Sequence, residues 1–159
     1  MELFHGSNVV VSKPCIRPNL RALDFGAGFY LTSDQKQAVR WARNVVRRRK
    51  DGQVILNVYE FDVMRIPSKH ILKFTKEDGD WLDFVVMNRK ESYRGQSYDL
   101  VLGPVANDST LPVINDYMDG VYTKEETVRR LLPQNLTDQY AFLTEAALQC
   151  LIFKGSVSL

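Results

Sequence analysis

Hydrophobic and polar positions change period several times along this chain. Two-residue alternation opens it: "ELFHG" puts Leu3 and His5 on one face and Phe4 on the other, a short strand that Gly6-Ser7-Asn8 ends. "VVVSKP" reads as a second extended piece broken by Pro14 and Pro18, and residues 17–28, "RPNLRALDFGAG", read as a loop. From Thr32 the period becomes helical. "TSDQ" has the form of a capping box through Thr32 and Gln35, and Ala38, Trp41, Ala42, Val45 and Val46 then recur on one helical face until Asp51-Gly52. "QVILNVYEFDV", 53–63, sets Ile55, Tyr59, Phe61 and Val63 against Leu56, Val58, Glu60 and Asp62, and is the clearest strand. "HILKF" after Pro67 is a weaker one.

The second half is read in the same way. "DWLDFVVMNRK", 80–90, is predicted helical with Trp81, Leu82, Val85 and Val86 inward, and "YDLVLGPV", 98–105, is an apolar run of buried-strand length stopped by Gly103-Pro104. "TKEETVRRLL", 123–132, starts a helix on a second capping box, Thr123 and Glu126. "QYAFL" is a strand, and "TEAALQCL" a short helical or extended close. Strands and helices mix without regular alternation, which predicts an α+β fold rather than a doubly wound sheet. No repeat, low-complexity tract or linker divides the chain, so residues 1–159 are expected to form a single domain.

Composition changes this picture little. With 45% hydrophobic and 25% charged residues, the chain has neither a disordered nor a membrane signature. A formal charge of +2, from 21 basic and 19 acidic residues, leaves polyanion binding only to a local patch. The strongest cluster is "RNVVRRRK": Arg43, Arg47, Arg48, Arg49 and Lys50 face either the negative end of a helix dipole or a nucleic acid or acidic partner. Cys15 and Cys150 are far apart with no CxxC pattern, so neither a disulfide framework nor a zinc knuckle is indicated. No leader pattern or membrane-length apolar run is present, and a cytoplasmic protein is expected, with export by a dedicated machine left open.

Candidate chemistry is sparse when each motif stands alone. "DFGAGFYL" offers Gly26 and Gly28 but has Leu31 where a dinucleotide fingerprint needs its third glycine, and no GxxxxGK[ST] loop or GxSxG elbow occurs. Two histidines without clustered cysteines argue against a metal site. His5 alone reads as a core histidine, and His70 has only that reading.

Taken in order, however, "FHGS", then "FGAGFYLTSDQKQAVRWA", then "DQYAFLTEAAL" resembles the catalytic domain of the poly(ADP-ribose) polymerases and the diphtheria-toxin-like ADP-ribosyltransferases. The chain also resembles a family of small uncharacterised bacterial proteins of that expected fold. The resemblance implies two packed, mainly antiparallel sheets with flanking helices and a cleft for NAD, which is substrate rather than prosthetic group, and no metal. It makes His5, Tyr30 and Gln139 the catalytic set, and His5, Gly6, Ser7, Gly28, Phe29, Tyr30 and Trp41 the NAD-binding residues. His5 would bond the adenosine-side ribose and Gly6 the nicotinamide carboxamide through its backbone. Tyr30 would stack on the nicotinamide ring and Trp41 close its other face, with Gln37 where the polymerases place a carboxamide-binding serine.

Gln139 departs from the pattern, which has Glu there. A glutamine can orient the nicotinamide-ribose 2′-OH but carries no charge and is no general base. Mono-ADP-ribosylation of a protein or nucleic acid is therefore expected rather than polymer formation. Asp138 and Glu145 are fallback carboxylates, and "LLPQNLTD", 131–138, stands where such enzymes read their acceptor, with Thr137 replacing an acid of arginine-specific relatives. The size fits a toxin or effector held by a neutralising antitoxin protein. A non-catalytic NAD or ADP-ribose binding module is the alternative. An RNA-directed enzyme on the same fold is a third reading, but one that needs basic site residues "FHGS" and "GFYL" do not supply.

Overall fold

The computed structural model describes residues 1–17 and 23–159. The part of the predicted loop at residues 18–22, including Pro18, lies outside them. The fold is α+β, with two open sheets and, among the described residues, five α-helices.

The first sheet has the order β1 (Glu2–Ser7), β3 (Ile55–Phe61) and β7 (Leu151–Ser158), all antiparallel. The second has the order β2 (Phe29–Leu31), β6 (Asp138–Phe142), β5 (Leu100–Pro104) and β4 (Ile71–Lys73). Its pairs are antiparallel except β4 with β5, which α2 (Gly79–Arg89) connects. Alternation along β6 decides how the layers stack. Phe142 joins Leu3, Phe29, Tyr59 and Phe61 in a core between the sheets, whereas Ala141 faces the other way, into Phe25, Trp81, Leu82, Ile114 and Leu131. That second core is closed by α2, α3 (Leu111–Met118) and α4 (Lys124–Leu131). Helix α1 (Gln35–Arg49) packs on β1 and β3, and the short α5 (Glu145–Leu148) turns the chain into β7.

Several expectations need correction. "VVVSKP" forms no strand; its backbone is held by side chains of β3 instead, with Asn57 Oδ1 accepting from Val11 N (2.8 Å) and Asn57 Nδ2 donating to Val9 O (3.2 Å). A fully buried asparagine in a central strand needs such partners, and a ladder for this segment would leave it only the bond from Nδ2 to His5 O (3.3 Å), with Oδ1 unpaired. The N-cap of α1 is Asp34 rather than Thr32, accepting from Lys36 N and Gln37 N. Trp41 is not on the buried face: Ala38, Ala42 and Val45 are buried, while Trp41 is 49% exposed with the Arg48 guanidinium 5.6 Å from its ring centroid. Two elements are not predicted by the sequence pattern: α3, opened by Asn107 accepting from Ser109 N and Thr110 N, and β7, a half-exposed strand. In α2, Phe84 is buried with Trp81, Leu82 and Val85, and Val86 only half so. Of the capping box expected for α4, Thr123 accepts from Glu126 N as predicted, but the Glu126 carboxylate pairs with Arg129 and Arg130 instead of returning to Thr123 N.

Candidate functional site

The two sheets touch edge to edge at one point. Phe4 N donates to Thr32 O (2.8 Å) and Thr32 N to Phe4 O (3.0 Å), an isolated antiparallel bridge between β1 and the end of β2. A ladder continued from that bridge would set Gly6 opposite Tyr30 and pair their backbone groups. It does not continue. Tyr30 O instead accepts from His5 Nδ1 at 2.8 Å, so the imidazole is the wedge that parts the sheets.

Two chemical consequences follow. A carbonyl only accepts, so Nδ1 carries the proton and Nε2 presents a lone pair. Burial lowers the His5 pKa, against the opposing pull of the Tyr30 carbonyl, so the ring is neutral near pH 7. Meanwhile Phe4 turns both backbone groups toward β2, and period-2 alternation turns those of buried Gly6 the same way. Among the described residues they have no hydrogen-bond partner. One donor and one acceptor stand side by side on a strand edge, the complement of a primary carboxamide.

The glycine itself has another reason to be there. A Cβ on Gly6 would lie 1.9 Å from Ala38 O and 2.8 Å from Ala42 N, so the missing side chain first admits the backbone of α1. Gly28 is likewise a packing glycine, its notional Cβ 2.7 Å from Phe142 O.

Tyr30 and Gln139 approach the split from the second sheet. Tyr30 pairs with Ala141, so Gln139, two residues earlier, projects from the same face. The Tyr30 hydroxyl donates to Gly26 O (2.7 Å) and accepts from Phe25 N (3.0 Å), which fixes the ring, and burial keeps the phenol protonated far above its ordinary range. Gln139 is 6% exposed, and its Nε2 donates to Asp24 Oδ2 at 3.5 Å. That bond sets the flip of the amide: with nitrogen toward the carboxylate, Oε1 is the atom left to accept from a ligand.

Asp24 is the member of this group that motif reading passes over. It is 8% exposed and held by Arg89, the last residue of α2, whose Nε donates to Oδ1 at 2.7 Å and whose Nη2 also contacts Oδ1. Burial pushes the Asp24 carboxyl up more than Arg89 and the Gln139 amide pull it down. The aspartate stands inside "DFGAGFYL" as an ordinary loop acid, 65 positions from its arginine, and local sequence carries no signal for the pair. The structure thus puts a carboxylate directly behind Gln139.

The remaining predicted residues fall around this group. Phe29 is core, its ring 4.3 Å from His5 between centroids and edge-on to Tyr59, and it backs the imidazole. Ser7 is buried and its Oγ accepts from Val9 N. Gln37 Nε2 donates to Asp138 O (3.2 Å), so Trp41, one turn further on α1, lies on the side of the helix that borders the start of β6. The Asp138 carboxylate is committed to Thr32 Oγ1, Ser33 N and Ser33 Oγ. Glu145 is at the start of α5, where its Oε1 meets Ile16 N at 3.5 Å. His70 pairs with Asp99 (2.8 Å) away from the split. A recess of about 300 Å³ lined by Phe25, Gly26, Phe84, Asn88 and Tyr93 contains none of His5, Tyr30 and Gln139. Among the described residues, no group of three or more His, Cys, Asp or Glu is placed to hold a metal, and no helix is long and apolar enough to cross a membrane.

The family model described as "Protein of unknown function (DUF3990)" matches residues 1–153. No curated protein and no solved structure matches the chain.

Proposed function

The chain belongs to the DUF3990 family, whose description assigns no activity, and from its site we propose that it is an NAD-dependent mono-ADP-ribosyltransferase built on the ADP-ribosyltransferase fold. The observation that carries the reading is the split itself: His5 takes the Tyr30 carbonyl that a continuing ladder would give to Gly6, and a buried backbone donor and acceptor are left side by side.

In this reading the Gly6 N–H donates to the carboxamide oxygen of nicotinamide and the Gly6 carbonyl accepts from its nitrogen, while the Tyr30 ring, fixed through its hydroxyl, packs on the pyridinium. His5 Nε2 accepts from a ribose hydroxyl on the adenosine side. Gln139 Oε1 accepts from the nicotinamide-ribose 2′-OH, and the Asp24 carboxylate behind the amide supplies negative potential. The bond from C1′ to nicotinamide nitrogen breaks with its electron pair leaving on nicotinamide. Positive charge grows on the ribose, where fixed dipoles and a nearby carboxylate favour it. A nucleophile of a macromolecular acceptor then bonds to C1′ and gives up its proton. Positioning supplies much of the acceleration, which is why a site without the usual glutamate still supports one transfer.

Labelled NAD incubated with the protein and a cell lysate should yield a labelled macromolecule together with free nicotinamide. Tight NAD binding with neither product removes the transferase and leaves the binding module, the reading that the uncharged Gln139 favours. Absence of NAD binding removes both.

A further inference from the structure

Helix α1 is the most asymmetric feature of the surface. Residues 36–50 hold seven cations, Lys36, Arg40, Arg43, Arg47, Arg48, Arg49 and Lys50, and no acid. Seven of the 21 basic residues are therefore on this one segment, which leaves 14 against 19 acids elsewhere, so a chain of net charge +2 is locally basic and otherwise acidic. All seven are exposed. None forms an ion pair among the described residues, whereas Arg89, Lys124, Arg129 and Arg130 do.

The helix dipole accounts for only part of this. Cations in the last turn, Arg47 to Arg49, face its negative end, but Lys36 is in the first turn and Arg40 and Arg43 in the middle, where the dipole gives them nothing or opposes them. Lys36, Arg40, Arg43 and Arg47 follow 4-3-4 spacing, which aligns them in one stripe spanning about 16 Å at 1.5 Å per residue. The core-facing residues Ala38, Ala42 and Val45 are on the opposite side, and the flank between carries exposed Trp41 under Arg48. The same helix borders the split, through Ala38 and Ala42 against Gly6 and through Gln37 to Asp138.

We infer that this stripe docks a nucleic acid by its phosphates, and that the docked acceptor reaches the site around the Gln37–Trp41 flank of the helix, which borders the start of β6. A row of cations at regular spacing suits a regularly charged backbone, and a flat aromatic beside it suits a base. A protein partner would want several apolar anchors clustered among the charges, whereas Trp41 is the one exposed large hydrophobic of this helix. The acceptor role rests on the transferase reading; the docking does not.

The test is fluorescence anisotropy of labelled single-stranded RNA and DNA of roughly 20 nucleotides with the full chain between about 50 and 200 mM salt. Engaging three to four phosphates predicts a slope of log affinity against log salt of about −2 to −3. The triple variant R40Q/R43Q/R47Q should bind at least about 30-fold more weakly with a flatter slope, and the lysine triple R40K/R43K/R47K should retain most binding. NAD affinity should be unchanged in both. Undiminished binding by the glutamine triple, salt-insensitive binding, or equal competition by poly-glutamate would overturn the docking surface. Nicotinamide release is measured in parallel, so its absence alone overturns the transferase and not the docking.

Discussion

Replacing Gln139 by glutamate installs the residue type of the enzymes that the motifs resemble, and the structure predicts that this comes with a loss of stability. The Gln139 amide nitrogen is 3.5 Å from Asp24 Oδ2, and a carboxylate in its place turns a donor into a like charge. At an effective dielectric constant near 20, two unit charges about 3.5 Å apart repel by about 5 kcal/mol. Arg89, already on Asp24 Oδ1, offsets part of that. The folded variant relieves the remainder by keeping a proton on the pair, so its apparent pKa rises well above the ordinary glutamate value of about 4.3. Between that value and the raised one, the folded state holds a proton that the unfolded chain has lost, so stability falls as pH rises, by up to about 1.4 kcal/mol per pH unit.

Urea unfolding at pH 5, 6 and 7 should show Q139E losing about 2–4 kcal/mol relative to the natural chain at pH 7 and progressively less at lower pH. D24N/Q139E removes the repulsion and leaves Arg89, which bonds residue 24, without its carboxylate partner and able to favour the introduced one. The double variant should recover most of the stability, and it, rather than the single one, should release nicotinamide faster at pH 7. A Q139E protein with natural stability and no added pH slope would refute the placement of Asp24 behind residue 139.

Two further outcomes are expected. Gly6→Ala drives a methyl group into Ala38 O and Ala42 N, both backbone of α1, so the helix must shift; a loss of about 3 kcal/mol, read as a fall in melting temperature of roughly 6–12 °C, is the result to look for, and an unchanged melting temperature would contradict the packing. For His5, burial lowers the folded-state pKa below the unfolded value of about 6.5, so its contribution to stability is complete above that pH and is lost as pH falls through the window beneath it. His5→Asn keeps a donor for the Tyr30 carbonyl and removes the titration, and urea unfolding between pH 7 and 5 should show a flatter profile than the natural chain; an identical slope would mean His5 is charged when folded.

What could be read from the sequence was set by how local each signal is. The capping of α4 by Thr123, the buried run at 100–104 and the core strand at 55–61 depend on neighbours within one turn or on simple alternation, and these stand in the structure. Trp41 illustrates the opposite case. Its spacing from Ala38 and Val45 puts it near the apolar stripe, but only the tertiary fit of Gly6 against Ala38 and Ala42 decides where the stripe ends. "VVVSKP" looked extended because valines are, yet Asn57 and Tyr59, more than forty positions away, take its backbone groups for themselves. β7 escapes because none of it is fully buried and its exposed positions mix Ile152 and Val157 with Lys154, Ser156 and Ser158, which blurs the alternation. Within the candidate site, the motifs single out His5, Tyr30 and Gln139, whereas Asp24 gains meaning only from an arginine on a different element.

The same distinction changes what "FHGS" explains. A glycine at position 6 would be expected wherever a ligand comes close to backbone, but α1 already demands it on one side of the strand. Its absent side chain is therefore no evidence for a ligand. What points to a ligand is the strand edge, a quarter turn away, where alternation from the Phe4–Thr32 bridge aims the Gly6 N–H and C=O into the split that His5 holds open. The two demands are separable. A change that closes the split without touching α1, such as removing the His5 donor so that Tyr30 O returns to Gly6 N–H, should abolish NAD binding while leaving the helix seated. The histidine, in that argument, acts on the site first by what it keeps apart.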